Sequence, residues 1–357
     1  MEFGIWSNGF RPHTSAAATF EEDITEIVLA DQLGFRDAYI SEHHGELPHI
    51  GRVDTIPVPE LMMCKAAALT KQIRMGAAVK LIHLQHPLDV AEQATTTEHL
   101  IGEGRFIFGF GTGFGNPLFC EERGLTFDDR HIRSQEALDF ILRCWQSEQP
   151  FDFDGKYWQG RNIIALPKPM NGKSIPIATA TVSEPTVALA GERGFTLLSA
   201  HFDSAAAIRA RSALYQKHAR AAGHADPISK ITVSRIIHIA DSKAAAIEDM
   251  REAVQFETSV QAERGFLKMM KQVYGLDLPT DRTAVDCLVD AGIYVVGSPD
   301  EVAAQLEQFV EDCGGIGTLL MVTGKAWGSR ETRLRSMRLF MEEVAPRLRK
   351  QEVLAAA

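Results

Sequence analysis

Phe3-Gly4-Ile5-Trp6-Ser7, then Thr19-Phe20-Glu21-Glu22-Asp23-Ile24-Thr25-Glu26-Ile27-Val28, then Asp37-Ala38-Tyr39-Ile40-Ser41 decide how this chain folds. The first run is short and apolar, as a strand is. The second places Phe20, Ile24, Ile27 and Val28 on one face at helical spacing. Thr19 with Glu22 three residues on has the capping-box pattern and predicts the helix start; Gly34 predicts its stop. The third run is a strand again. One strand–helix–strand unit is complete by residue 41, and the rest of the chain keeps its rhythm.

Strands are predicted over residues 73–80, 105–110, 175–180, 195–200, 231–240 and 316–322. Helices are predicted over 59–69, 86–101, 130–145, 184–192, 204–222, from 242 onward, and over 331–350. The helix before the last strand carries the strongest local signal: Ser298 as N-cap, Pro299 at its first position, Glu301 completing a capping box, an apolar stripe of Val302, Leu306, Phe309 and Val310, and Gly314 at its end. Two segments break the rhythm. Residues 151–166, with Asp154-Gly155 between Phe151-Asp152-Phe153 and Lys156-Tyr157-Trp158, read as an inserted hairpin. Residues 256–292 mix Met269, Met270, Tyr274, charges and Pro279 without a clear period, and read either as a lid or as a surface excursion with short helices. Eight strand–helix units over 1–357 predict one (β/α)8 barrel with insertions after the fourth strand and before the last. A doubly wound sheet is the alternative.

Bulk properties narrow the function. The chain has 357 residues, 45% of them hydrophobic, enough for a large core. Its net charge of −10 and lack of a Lys/Arg-rich run argue against nucleic acid as a partner. No apolar run approaches the ~20 residues of a membrane span, and no signal-peptide pattern opens the sequence. Cys64, Cys120, Cys144, Cys287 and Cys313 are scattered and include no CxxC, so they read as reduced thiols of a cytoplasmic protein.

Four features bear on chemistry. Glu42-His43-His44 follows the second strand, where a barrel places its reactive groups. Imidazole suits proton transfer near neutral pH, although two exposed loop histidines fit the same letters. Gly109-Phe110-Gly111-Thr112-Gly113-Phe114-Gly115 follows the fourth strand; its glycines allow close approach to a flat ligand or an anion, or simply turn the chain. Thr181-Val182-Ser183, with Thr186, sits at a helix N-terminus and can bind phosphate or cap the helix. His83 and His86 lack the spacing of a metal pair, so no metal is expected. No Gly-x-Ser-x-Gly elbow occurs.

Together these residues resemble the bacterial luciferase-like flavin monooxygenases. The resemblance rests on Glu42-His43-His44; on Met75-Gly76-Ala77-Ala78-Val79 with Gln85-His86-Pro87; on Gly104-Arg105-Phe106-Ile107-Phe108-Gly109; and on residues 295–301 with Gly315-Ile316 and Met337-Arg338-Leu339-Phe340. It spans essentially the whole chain. It implies a TIM barrel that binds reduced FMN (FMNH2) at its C-terminal face and uses O2, through a flavin C4a-hydroperoxide, to hydroxylate or insert oxygen into a small, mostly apolar organic substrate. It further implies a homodimer, with the helices after the second and third strands in the interface. Reduced flavin would come from a separate NAD(P)H:flavin reductase, and the chain shows no nicotinamide-binding unit of its own.

Carried over by position, His43 is the expected catalytic histidine, with His44 the lesser candidate. Ala78 and Val79 match a pair joined by a non-prolyl cis peptide beneath the flavin. Ser183 and Thr186 match phosphate binders, with the backbone of Val182 and Phe114 lining the same site. Thr112 stands where luciferase has an arginine partner for the phosphate, after Gly111 in place of a cysteine; His201 stands where it has a tryptophan. Trp6, Asn8, His83, Phe110 and His201 are the expected pocket lining. An F420-dependent oxidoreductase of the same fold and a non-catalytic flavin-binding protein are the alternatives.

Overall fold

The computed structural model describes residues 1–44, 56–113, 118–172, 174–280 and 284–349. Its strands are β1 (Glu2–Ser7), β2 (Asp37–Ile40), β3 (Arg74–Ala77), β4 (Phe106–Phe110), β5 (Phe151–Asp154), β6 (Gln159–Ile163), β7 (Ile177–Ala180), β8 (Thr196–Ser199), β9 (Ile231–Ile239), β10 (Tyr294–Gly297) and β11 (Thr318–Thr323). Eight of them close into a ring in the order β1-β2-β3-β4-β7-β8-β9-β11, with β11 again beside β1. Every pairing in the ring is parallel. This is the predicted (β/α)8 barrel.

Alternation along the strands sorts side chains into two layers. Tyr39, Ile107, Ala178, Leu198 and Leu320 form one small cluster contributed by five different strands, which fills the barrel. Phe3, Ile5, Ala38, Ile40, Phe106 and Phe108 point the other way and join the much larger cluster shared with the helices. Parallel strands buried on both faces need no polar alternation, and β2, β4, β9 and β11 are buried at every position.

Four details differ from expectation. The first helix is Ala16–Leu33, and its N-cap is Ser15, whose side chain accepts from Ala18 N; Thr19 is buried inside the helix. Ser15 competes for the same role as Thr19 because both are hydroxyl residues next to an apolar period. The third strand ends at Ala77, and Lys80 makes only an isolated bridge to Phe110. Residues 256–263 continue a long helix, Lys243–Glu263, and a second helix, Phe266–Tyr274, is bracketed by Gly265 and Gly275, both left-handed. Finally, β10 pairs in parallel with the upper half of β9 as a ninth strand outside the closed ring. Its Tyr294-Val295-Val296 run has strand propensity, but it falls outside the count of eight units, between the irregular 256–292 segment and the capped helix.

The hairpin at 151–163 is present as β5–β6. Glu136 accepts from the backbone N–H groups of Lys156, Tyr157 and Trp158 across its turn. The capping box at Ser298 and Glu301 is also present. Among the described residues no helix is long and apolar enough to cross a membrane.

Candidate active site at the carboxyl ends of the strands

The chain leaves β2 through Ser41 and Glu42, both buried. Glu42 Oε1 accepts from His44 Nε2 at 3.0 Å and from the backbone N–H of Leu81 at 3.3 Å. Its other oxygen lies 3.3 Å from Lys80 Nζ, which is also 3.1 Å from Glu60 Oε1. Lys80 and Glu60 were not singled out in the sequence. The available signal was a lysine closing an otherwise apolar run, a position that demands an anionic partner. Burial favours the neutral form of Lys80, but Glu42 and Glu60 outweigh it and hold the ammonium above its usual range. His43 is half-buried on the same turn, its backbone N–H donating to Ile56 O at 3.2 Å.

At the next strand end, after β3, the Ala78–Val79 peptide bond is cis. Both side chains border the cluster that fills the barrel. Lys80 N donates to Gly109 O and Gly111 N donates to Lys80 O, which lays the glycine segment beside this turn. A Cβ at Gly111 would meet Val79 Cγ2 at 2.6 Å, so only glycine leaves that surface flat. Thr112 follows, half-buried. Phe114 lies outside the described residues.

After β7, on the strand next to β4, Ser183 occupies the N-cap position of the helix Glu184–Arg193, yet its side chain makes no capping bond. Its backbone N–H donates to Thr181 Oγ1 at 3.0 Å. Ser183 and Val182 are exposed and Thr186 is half-buried. An exposed hydroxyl at a helix N-terminus, not engaged in capping, is suited to an anion.

Of the expected lining, Trp6 and His201 meet, their ring centroids 5.0 Å apart. Phe202 continues the contact, 3.9 Å from His201. Burial, then the cations Lys325 and Arg235, push the His201 imidazole well below its usual range, so it is neutral. Burial pushes His83 down to about 4, against the pull of Glu42 and with the help of Arg130 and Arg133. Phe110 departs from expectation. It belongs to the outer cluster and faces Phe195 and Phe108, because alternation along β4 puts Ile107 inward and Phe108 and Phe110 outward.

The residues fit a flat, polar-edged cofactor. Trp6 Nε1, Asn8 Oδ1, Ser41 Oγ, His83 Nδ1, His201 Nδ1 and Thr323 Oγ1 are buried side-chain atoms with no hydrogen-bond partner among the described residues. All lie at or just past the carboxyl ends of ring strands. Buried polar atoms are costly unless something satisfies them. Among the described residues no group of three or more His, Cys, Asp or Glu side chains is placed to hold a metal ion.

Comparison with known proteins agrees with this geometry. Residues 1–315 match the model of the luciferase-like monooxygenase family. The chain is 28% identical to 3,6-diketocamphane 1,6-monooxygenase of Pseudomonas putida over 98% of each chain. It is 28% identical to limonene 1,2-monooxygenase of Rhodococcus erythropolis, covering 97% of this chain and 86% of that one. Among solved structures, the oxygenating constituent of 3,6-diketocamphane monooxygenase of Pseudomonas putida, a type II Baeyer–Villiger monooxygenase in complex with FMN, superposes with a TM-score of 0.81 at 29% identity, covering 97% and 98% of the two chains.

Proposed function

This chain belongs to the luciferase-like monooxygenase family, and from that premise we propose that it is the oxygenating component of a two-component monooxygenase using reduced FMN and O2 on a small, mostly apolar organic substrate. The relatives act on a diketocamphane and on limonene, which favours a cyclic terpenoid or related ketone. The observation that carries the reading is a continuous surface over three adjacent strand ends: Val79 after β3, the bare face of Gly111 after β4, and the uncapping Ser183 after β7. An isoalloxazine would lie on the first two and its phosphate would reach the third.

Ala78, Val79 and Gly111 would support the ring. Ser183, Thr186 and the backbone of Val182 would hold the phosphate, with Thr112 and Phe114 nearby. Bound reduced FMN supplies the activation of O2 for transfer of one oxygen atom to substrate. His43 holds or moves a proton at the reacting oxygen. Trp6 and the neutral His201 line an uncharged pocket and exclude water. Asn8 and His83 orient the ligands through their open polar atoms. The helix Phe266–Tyr274 serves as a lid, since Phe266 and Tyr274 rest 6.3 and 6.1 Å from Phe202, which touches His201.

The same premise supports a homodimer through Leu61 and Leu100, which are exposed on the helices after β2 and β3. A separate NAD(P)H:flavin reductase supplies the reduced flavin, and the protein works in the cytoplasm. The deciding experiment is anaerobic titration with photoreduced FMN, followed by mixing with air. Tight binding and a transient spectrum belonging to neither reduced nor oxidised flavin support the proposal. Binding of F420 in place of FMN, with turnover that needs no O2, would replace it. Binding of FMN without any turnover would leave a carrier.

A further inference from the structure

We propose that Lys80 is a positioning residue that fixes the tautomer and charge of His44, and thereby the turn that displays His43. The proposal rests on the functional reading for its consequence in turnover, but its geometry stands alone.

Lys80 joins three strand ends. Its backbone bridges the end of β3 to the glycine segment after β4, through Lys80 N to Gly109 O at 2.8 Å and Gly111 N to Lys80 O at 3.1 Å. Its side chain turns the other way, to Glu42 after β2 and to Glu60 at the start of the helix Pro59–Ala67. The Lys80 side chain is 2% exposed, that of Glu42 is 0% and that of Glu60 is 12%. One buried ammonium therefore serves one buried and one half-buried carboxylate.

His44 sits between opposite constraints. An ionised Glu42 can only accept, so the 3.0 Å contact makes His44 Nε2 a donor. Arg123 can only donate, so its Nη2, 3.4 Å from His44 Nδ1, requires Nδ1 to accept. Together they select the neutral Nε2–H tautomer. Among the described residues, the other charged or titratable groups facing this set are His43 on the same turn, Lys80 and Glu60, Glu122, whose Oε2 lies 3.5 Å from Arg123 Nη1, and His83, which in turn faces Arg130, Arg133 and His131. Phe119 closes one side of the His44 ring, 5.8 Å away.

Removing the ammonium would leave Glu42 and Glu60 unopposed. The cluster would then take up a proton, and His44 is the group already bonded to Glu42. A second proton on Nδ1 would break the Arg123 contact and set two cations against each other. Lys80 prevents this by neutralising Glu42 without protonating it.

The test is 15N NMR of the imidazoles in the full chain without flavin, with the His44 signals assigned by their loss in His44→Asn. The native protein is expected to show the Nε2–H tautomer at neutral pH. Lys80→Met is expected to raise the midpoint of His44 protonation by about one pH unit or more. Lys80→Arg is expected to restore the native tautomer and midpoint. Glu60→Gln keeps the Lys80–Glu42 pair and removes one negative charge, so the same midpoint moves down; this variant also serves if Lys80→Met does not fold. In turnover, the acid limb of the rate–pH curve follows the NMR midpoint in each variant. A native Nδ1–H tautomer, or an unmoved His44 midpoint in both Lys80→Met and Glu60→Gln, overturns the proposal. These readouts need no turnover, so they fail separately from the monooxygenase reading.

Discussion

Trp6 and His201 reach each other across the mouth of the barrel, their ring centroids 5.0 Å apart and their planes inclined at 44°. Trp6 stands on β1 and His201 follows β8, three places away around an eight-stranded ring. The contact therefore spans the site rather than lining one side of it. His201 is neutral because burial, Lys325 and Arg235 all oppose its charge. A neutral imidazole against an indole makes an uncharged wall whose open polar atoms are Trp6 Nε1 and His201 Nδ1. His201→Asn is expected to leave the midpoints of the rate–pH curve in place, because His201 does not titrate in the working range. Trp6→Ala is expected to raise KM for an apolar substrate about tenfold, or ~1.4 kcal/mol, with little change in FMN affinity. Steady-state kinetics from pH 5 to 9 with coupled reduced FMN checks both.

His43→Ala separates binding from chemistry. Its side chain belongs to the turn after β2, whereas the proposed ring and phosphate subsites lie after β3, β4 and β7. FMN affinity is expected to be unchanged within about twofold. Oxygenation is expected to slow roughly a hundredfold, the usual worth of a positioned proton-transfer group, with a matching rise in hydrogen peroxide released. Product yield and peroxide measured in one reaction decide it. An unchanged yield removes His43 from the mechanism.

His83 gives a stability signature in acid. Burial pushes its imidazole down to about 4, so the folded protein binds fewer protons there than the unfolded chain, whose histidine titrates near 6.5. No penalty exists above pH 6.5. Stability is lost progressively as pH falls from about 6.5 to 4, by roughly 3 kcal/mol at the lower end. His83→Gln retains a polar side chain and cannot titrate. Its unfolding free energy, from urea titrations at pH 7.5 and 4.5, is expected to fall less than that of the native protein over the same interval. Equal losses would show that His83 is solvated in the folded state.

The barrel was legible in sequence because its units are local. An apolar run, a capped amphipathic helix and a terminating glycine all announce themselves within about thirty residues, as Ser298 to Gly314 shows. Glu42-His43-His44 and Ala78-Val79 were legible only because residue identity, spacing and order agreed across the chain. The Lys80–Glu42–Glu60 set was not, because its members come from three segments that meet only after the ring closes. β10 was missed although its own Tyr294-Val295-Val296 run favours a strand, because it is a ninth strand outside the ring of eight that the repeating units predict. The error at Phe110 was one of parity. A residue at a strand end faces inward or outward according to a single-step alternation, and the sequence of an all-buried strand does not mark which.

Gly111→Ala tests the flat surface itself. The new Cβ would stand 2.6 Å from Val79 Cγ2, 3.3 Å from Val79 Cβ and 3.4 Å from Ala180 O. The first contact is too close, and the atom it meets is a side-chain methyl that can turn away. No left-handed backbone is required at Gly111, since its φ is not among the positive values. The fold is therefore expected to tolerate the change at a cost of about 1–2 kcal/mol, as overpacking by one methyl group usually demands. The ligand is not. The methyl group and the displaced Val79 both enter the space proposed for the isoalloxazine. FMN and riboflavin are expected to lose affinity alike, by at least about tenfold, because the obstacle lies under the ring that both share. Ser183→Ala is the converse, expected to weaken FMN and leave riboflavin unchanged, because only FMN carries the phosphate. Fluorescence titrations of the two flavins against the two variants give four affinities. If Gly111→Ala weakens FMN but spares riboflavin, the glycine segment is a phosphate loop and the ring lies elsewhere in the barrel mouth.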